Sequence, residues 1–201
     1  ATLALSKLLK RPVKFVADRI ERFVTDIHAR DHRIKAKIGV SKDGAITAFE
    51  IDDLTGIGPY SVYPRTSGIE ANQIVNLTGG PYTCPNYRAQ TKVVFQNKNV
   101  MCQYRAVGHP IAVAVTEGLV ELAAAKIGMD PLEFRMKNAQ DAGEVSGQGM
   151  SFKSCGFKEC ITTAATRSDF SRKFKENAAN RSKPGNIKRG IGMASMLHVG
   201  G

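Results

Sequence analysis

The 201-residue sequence contains no tryptophan and only 7% aromatic residues. Single-stranded nucleic acids are gripped by aromatic platforms set in a basic groove, so this scarcity weighs against that class of function. Four cysteines occur, Cys84, Cys102, Cys155 and Cys160, and no two form a C-x-x-C pair. Structural zinc sites use tighter thiolate pairing, and disulfide scaffolds use more cysteine. The histidines, His28, His32, His109 and His198, stand apart from the thiols, and no H-E-x-x-H helix surrounds His28 and His32. No metal ligand set is therefore expected from these side chains. No apolar run approaches the roughly 20 residues of a membrane-spanning helix. The start, Ala1-Thr2-Leu3-Ala4-Leu5, lacks an initiator Met and a signal-peptide layout. A cytoplasmic location is expected, with the periplasm as the alternative. Absent too are a Walker loop, a G-x-G-x-x-G turn and a G-x-S-x-G elbow. Gly147-Gln148-Gly149 has neither a strand before it nor a helix directly after it, and reads as a solvent loop.

What remains is an ordinary globular balance, with 42% hydrophobic and 23% charged residues. That is enough apolar material for a genuine core. Lys and Arg number 29 against 18 Asp and Glu, for a formal charge of +11. The excess sits at both ends. Residues 1–40 hold ten Lys and Arg against four Asp and Glu, and residues 165–190 hold eight against Asp169 and Glu176. Within the second cluster Phe170 and Phe174 are spaced i,i+4, as on a helix docked to a core. Both clusters read as solvated faces or subunit contacts, with no nucleic acid expected as partner. A basic nucleic-acid-binding domain stays open as an alternative.

Punctuation and periodicity divide the chain. Residues 1–10 read as an amphipathic helix stopped by Arg11-Pro12. Residues 13–16 read as a short apolar strand. From 32 to 40, Ile34, Ala36, Ile38 and Val40 alternate with Arg33, Lys35, Lys37 and Gly39, the period of a half-buried strand. Ser41-Lys42-Asp43-Gly44 makes the turn of a hairpin, and residues 45–54 return as its partner. A loop follows at 56–64, then a short helix at 67–77, closed by Gly79-Gly80-Pro81. Residues 87–96 alternate again. His109-Pro110 opens the strongest helix, residues 111–127, with Glu117 and Glu121 on its polar side and Gly128 as its C-cap. Asp130-Pro131-Leu132-Glu133 starts another helix, to residue 138, with Asp130 as N-cap. Residues 140–156 form a flexible Gly/Ser-rich loop, and helices follow at 157–165 and 169–178, the latter capped by Ser168. A basic linker at 181–186 leads to a final strand at 191–199. Strands and helices mix irregularly, so the expected class is α+β.

One segment invites chemistry: Gln103-Tyr104-Arg105-Ala106-Val107-Gly108-His109-Pro110. It carries the chain into the N-terminus of the longest apolar helix. Small residues at 106 and 108 let backbone approach a ligand. Exposed amides and the positive end of a helix suit an anion or an oxo group. A turn that merely permits tight packing accounts for the same residues, and both readings remain open at this level.

The order of short motifs adds to this. Arg11-Pro12-Val13-Lys14, Asp18-Arg19-x-Glu21, the hairpin, Pro85-Asn86-Tyr87-Arg88, Tyr104-Arg105-x-x-Gly108-x-Pro110 and Ile127-Gly128-Met129-Asp130-Pro131-x-Glu133-Phe134-Arg135-x-Lys137-Asn138 follow one another. In that order the chain resembles the molybdopterin-binding large subunit of the molybdenum hydroxylases, the relatives of xanthine dehydrogenase and aldehyde oxidase. The resemblance implies hydroxylation of an aldehyde or N-heteroaromatic substrate with oxygen drawn from water. It implies molybdopterin, in a dinucleotide form, carrying Mo, with iron–sulfur clusters and FAD on partner domains or subunits.

The resemblance also implies that residues 1–201 are part of the first Mo-binding domain. The family's Gly-Gly-Phe-Gly loop is expected upstream of Ala1, and its later cofactor loops and catalytic glutamate beyond Gly201. No catalytic residue is expected within the chain, which should not act alone. Tyr104, Arg105, Ala106 and Gly108 map onto the cofactor-facing turn, and Val107 onto the substrate funnel. Gln73 falls near the position of the substrate arginine of purine-oxidising members, which disfavours xanthine. Ala106 stands where the family usually has Gly, and where copper-containing CO dehydrogenases have Cys. The expected partners are the remainder of the large subunit, an iron–sulfur subunit or domain, an FAD subunit or domain, and a small-molecule substrate. A non-catalytic docking module of the same fold is the other alternative.

Overall fold

A computed structural model of the chain describes residues 1–198. Its sheet has the order β1-β2-β3, with β1 at His32–Val40, β2 at Ile46–Gly56 and β3 at Asn86–Val94. The hairpin turn places Gly44 at φ 86, and the Ser41 and Ala45 backbones close it at 2.9 Å. β1 pairs antiparallel with β2, whereas β3 pairs with β2 in parallel. A parallel neighbour needs a crossover, which is supplied by α3 at Ile69–Leu77.

The register decides what the covered face of the sheet carries. Ile38 pairs with Phe49, Ala36 with Ile51, Ile34 with Asp53 and His32 with Thr55. Across β2, Phe49 meets Tyr87, Ile51 meets Ala89 and Asp53 meets Thr91. Because side chains alternate with period two, one end of this face is apolar and the other polar. Phe49 and Ile51 are buried at the apolar end, where each contributes about 1.5–3 kcal/mol by leaving water.

Helix α4, His109–Ile127, and α5, Pro131–Asn138, cover the apolar end. Val120, Ala123, Ala124 and Phe134 join Ile46, Phe49, Tyr82 and Cys84 in the core. Gly128 ends α4 in the left-handed conformation, and the Asp130 side chain accepts the amides of Leu132 and Glu133. Asn138 then ties α5 to the hairpin: its Oδ1 accepts the Ile46 amide at 2.7 Å and its Nδ2 donates to the Gly44 carbonyl at 2.9 Å. The remaining helices are α1 at Thr2–Leu9, α2 at Arg19–Thr25, α6 at Phe157–Ser168 and α7 at Phe170–Asn180. The architecture is α+β, with Phe170 buried and stacked on Phe174 at 5.6 Å.

Several expectations need correction. Residues 13–16 and 191–198 lie in no strand, and Val199 lies outside the described residues. Glu117 is not on a polar face. It is buried, accepts the Tyr82 hydroxyl at 2.7 Å, and accepts the Nε and Nη2 of buried Arg135 at 3.0 and 2.9 Å. Meanwhile Leu122 on the same helix is 68% exposed. An Ala-rich helix presents apolar surface nearly all round, so its sequence does not mark the buried side. Ser168 closes α6 and bonds the Ala165 carbonyl, while Asp169 stands at the N-cap of α7. Gly147-Gln148 is packed: the Gln148 amide donates to the Thr78 carbonyl, and a Cβ at Gly147 would lie 2.8 Å from the Cys84 carbonyl oxygen. α2 was not foreseen as a helix, although Asp18 and Glu21 form its reciprocal capping box.

Candidate functional site

Residues 104–108 form a double turn at the entrance to α4. The Val107 amide donates to the Tyr104 carbonyl at 2.7 Å, and the His109 amide to the Ala106 carbonyl at 3.0 Å. Ala106 and Val107 take positive φ, 71° and 49°, whereas Gly108 lies at φ −80°. Left-handed backbone is uncommon for non-glycine residues and most strained for a β-branched one such as Val107. Gly108 is glycine for a different reason. A Cβ there would stand 2.6 Å from the Glu70 carbonyl oxygen and 2.8 Å from Gln73 Cβ, so α3 presses directly on the turn.

The turn is held from behind by three residues. Gln73 Oε1 accepts the Gly108 amide at 2.9 Å. Arg30 is brought alongside because His28 pairs with the strand-like segment at Val100 and Cys102, at 3.0 and 2.8 Å. Its Nη2 donates to the Arg105 carbonyl at 2.5 Å, and its guanidinium lies 5.5 Å from the centre of the Tyr104 ring. Glu70, buried in the first turn of α3, accepts the Arg30 amide at 2.7 Å.

Glu70 also connects the turn to the polar end of the sheet. His32 Nε2 lies 2.9 Å from Glu70 Oε1, and Nδ1 lies 3.0 Å from Asp53 Oδ1. Thr55 and Thr91 donate to Asp53 Oδ2 at 2.5 and 2.8 Å. Burial pulls the His32 imidazole down, but its hydrogen bonds to Asp53 and Glu70, and their charges, overcome this and raise it to about 9. Burial pushes Asp53 up, and the hydrogen bonds from His32, Thr55 and Thr91 hold it below its usual range. A buried imidazolium thus bridges two carboxylates. Glu70 Oε2 is buried and has no hydrogen-bond partner among the described residues.

The residues singled out from the sequence, Tyr104, Arg105, Ala106, Val107, Gly108 and Gln73, are brought together here. Tyr104 and Arg105 are exposed, Ala106, Val107 and Gln73 are half-buried, and Gly108 is buried. Of the turn's amides, those of Val107, Gly108 and His109 are committed inside the protein. Those of Arg105 and Ala106 bond to nothing among the described residues, and they stand beside the N-terminus of a 19-residue helix. Two free N–H groups at such a place attract an anionic or oxo ligand. Arg30, Glu70, His32 and Asp53 were missed. A histidine on the inward period of β1 was a legible signal for His32, but nothing local marked Glu70 or Arg30.

Comparison with known proteins bears on the fold and the family. Residues 1–139 match the model of the molybdopterin cofactor-binding domain. The xanthine dehydrogenase molybdenum-binding subunit of Escherichia coli O157:H7 is 27% identical over 201 residues, covering 99% of this chain and 26% of that protein. The aldehyde oxidoreductase of Megalodesulfovibrio gigas is 34% identical over 116 residues, covering 58% of this chain and 12% of that protein. Among solved structures, quinoline 2-oxidoreductase from Pseudomonas putida 86 superposes with a TM-score of 0.80 at 25% identity, over 90% of this chain and 23% of that one. The chain spans about a quarter of the length of the first of these relatives. With residues 1–139 matched by that model, this chain belongs to the molybdopterin cofactor-binding domain family.

Proposed function

We propose that residues 1–201 are part of the Mo-cofactor-binding subunit of an oxidoreductase that hydroxylates an aldehyde or N-heteroaromatic substrate with oxygen from water. The single observation carrying this reading is the pair of uncommitted amides at Arg105 and Ala106, on a turn fixed by Gln73 and Arg30. They fit an oxo or sulfur ligand of the cofactor, which when bound supplies a centre able to take two electrons from the substrate. Arg105 and Ala106 would donate to that ligand through their amides, while Tyr104 and Gly108 define the ends of the turn. Donors held in place before reaction need no reorganisation during it. Val107, half-buried at the crest, borders the path of the substrate, and Gln73 supports it from α3.

The cofactor is taken in a dinucleotide form. The remainder of the large subunit would complete its cradle, and iron–sulfur clusters and FAD on partner domains or subunits would supply the route for the electrons. Among the described residues no helix is long and apolar enough to cross a membrane.

Val107→Phe in the complete holoenzyme tests the reading. A ring narrows the path without removing a donor, so the ratio of kcat/KM for two substrates of different width should change at unchanged molybdenum content. An unaltered ratio at full occupancy overturns the placement of Val107. Elemental analysis of the complete protein that finds no molybdenum overturns the cofactor assignment.

A further inference from the structure

A concave site lies beside Tyr104. It is a cavity of about 500 Å³ between α2, residues 26–30 and the Tyr104 ring, within the size range of small-molecule sites. Arg19, Arg22 and Arg30 all line it, with Phe23 and Tyr104. Arg19 and Arg22, one helical turn apart on α2, make no side-chain hydrogen bond and no ion pair among the described residues. Asp26 is the one carboxylate in the lining, and it pairs with none of the three. Nearby Glu21 is committed to the capping box, where its Oε2 accepts the Asp18 amide at 2.8 Å. Three arginines and a single carboxylate therefore line the recess, where a positive field is focused.

Arg30 distinguishes this recess from a chance gathering of surface arginines. It sits at φ 66°, in backbone that favours glycine and that persists where the surroundings over-determine it. Here Glu70 holds its amide, the Arg105 carbonyl holds one nitrogen of its guanidinium, and the Tyr104 ring flanks the guanidinium. One charge is thus set in advance, and the two on α2 are free to close on a ligand. Guanidinium forks match the oxygens of carboxylate and phosphate. The Phe23 and Tyr104 rings, each 63% exposed, offer faces or edges to a flat partner.

We infer that this cavity is a binding site for a small aromatic oxyanion, a ring bearing a carboxylate or a phosphate. The recess shares Arg30 and Tyr104 with the turn, but Arg19 and Arg22 belong to the recess alone, so its test does not depend on the cofactor reading.

Calorimetric titration of the complete protein with phenyl phosphate and with benzoate tests it. At least one should bind saturably. The double variant Arg19→Gln/Arg22→Gln should weaken that binding by roughly tenfold or more, the scale of a charge-assisted hydrogen bond. Both residues are exposed and make no side-chain hydrogen bond or ion pair among the described residues, so folding is not at stake. A control removing the same charge elsewhere, Lys183→Gln/Lys188→Gln, should leave binding unchanged. Saturation by phenyl phosphate alone identifies a phosphate ester as the ligand class, and saturation by benzoate alone an aromatic carboxylate. Failure of both to saturate overturns the site. So does an equal loss in the lysine control, which would reduce the binding to overall charge. Inorganic phosphate binding as tightly as phenyl phosphate overturns the aromatic requirement.

Discussion

The side-chain oxygen of Gln73 accepts the amide of Gly108 at 2.9 Å, joining α3 to the turn that opens α4. Gln73→Ala removes that acceptor and strands a buried N–H, at a cost of about 1–3 kcal/mol. Gln73→Glu keeps an oxygen in reach and should recover most of the loss. Chemical denaturation of the three proteins measures both effects. Equal stability of the alanine variant and the parent would show that the bond does not hold the turn.

Gly108 has ordinary backbone, φ −80° and ψ −9°, so alanine there suffers no conformational strain. If the site had room, Gly108→Ala would stabilise the fold by about 0.4–1 kcal/mol through the unfolded chain. A Cβ 2.6 Å from the Glu70 carbonyl oxygen forbids this. The expected result is a loss of about 1–3 kcal/mol from overpacking, and a larger one for Gly108→Val. The sign of the alanine effect decides the matter.

His32 makes stability depend on pH in a stated direction. Its folded value, about 9, lies above its ordinary 6.5. Its contribution is therefore complete below about pH 6.5 and disappears as pH rises to about 9. Asp53 is shifted down, so its contribution is present above its ordinary carboxylate value and is lost on acidification. Melting temperature should fall between pH 6.5 and 9, with a loss on the order of 1–3 kcal/mol. His32→Gln should flatten that slope. A slope surviving in the variant would place the titrating group elsewhere.

Glu117 neutralises Arg135, whose side chain is 1% exposed. Glu117→Ala leaves half-exposed Glu121 as the one carboxylate on that charge among the described residues, beside the Pro131 and Met193 carbonyls. A cost of about 3–5 kcal/mol is expected for breaking a buried pair from one side. Glu117→Gln retains an acceptor for the Tyr82 hydroxyl and should lose less. Thermal unfolding of both variants checks the order.

Local chemistry was enough to read β1, the hairpin turn at Gly44, the proline-started helices α4 and α5, and the caps at Gly128 and Asp130. Each rests on neighbours within a few residues: alternation along a strand, a left-handed glycine, an amide that proline does not need. The 104–108 turn was legible as a candidate for the same reason, since its small residues lead straight into a helix N-terminus. The chain alone did not reveal which residues of that turn carry the unusual backbone. Ala106 and Val107 are left-handed, while Gly108 yields its side chain to the passage of α3. Glu70, Arg30 and Asp53 were equally hidden. They meet because β3 joins β2 in parallel through α3, and because residue 28 pairs with the segment at 100–102. Burial of Glu117 rather than Leu122 depended on Arg135 arriving from α5. Charges and amides separated by tens of residues find their partners only when the sheet register and helix packing bring them together, and no periodicity along the chain records that distance.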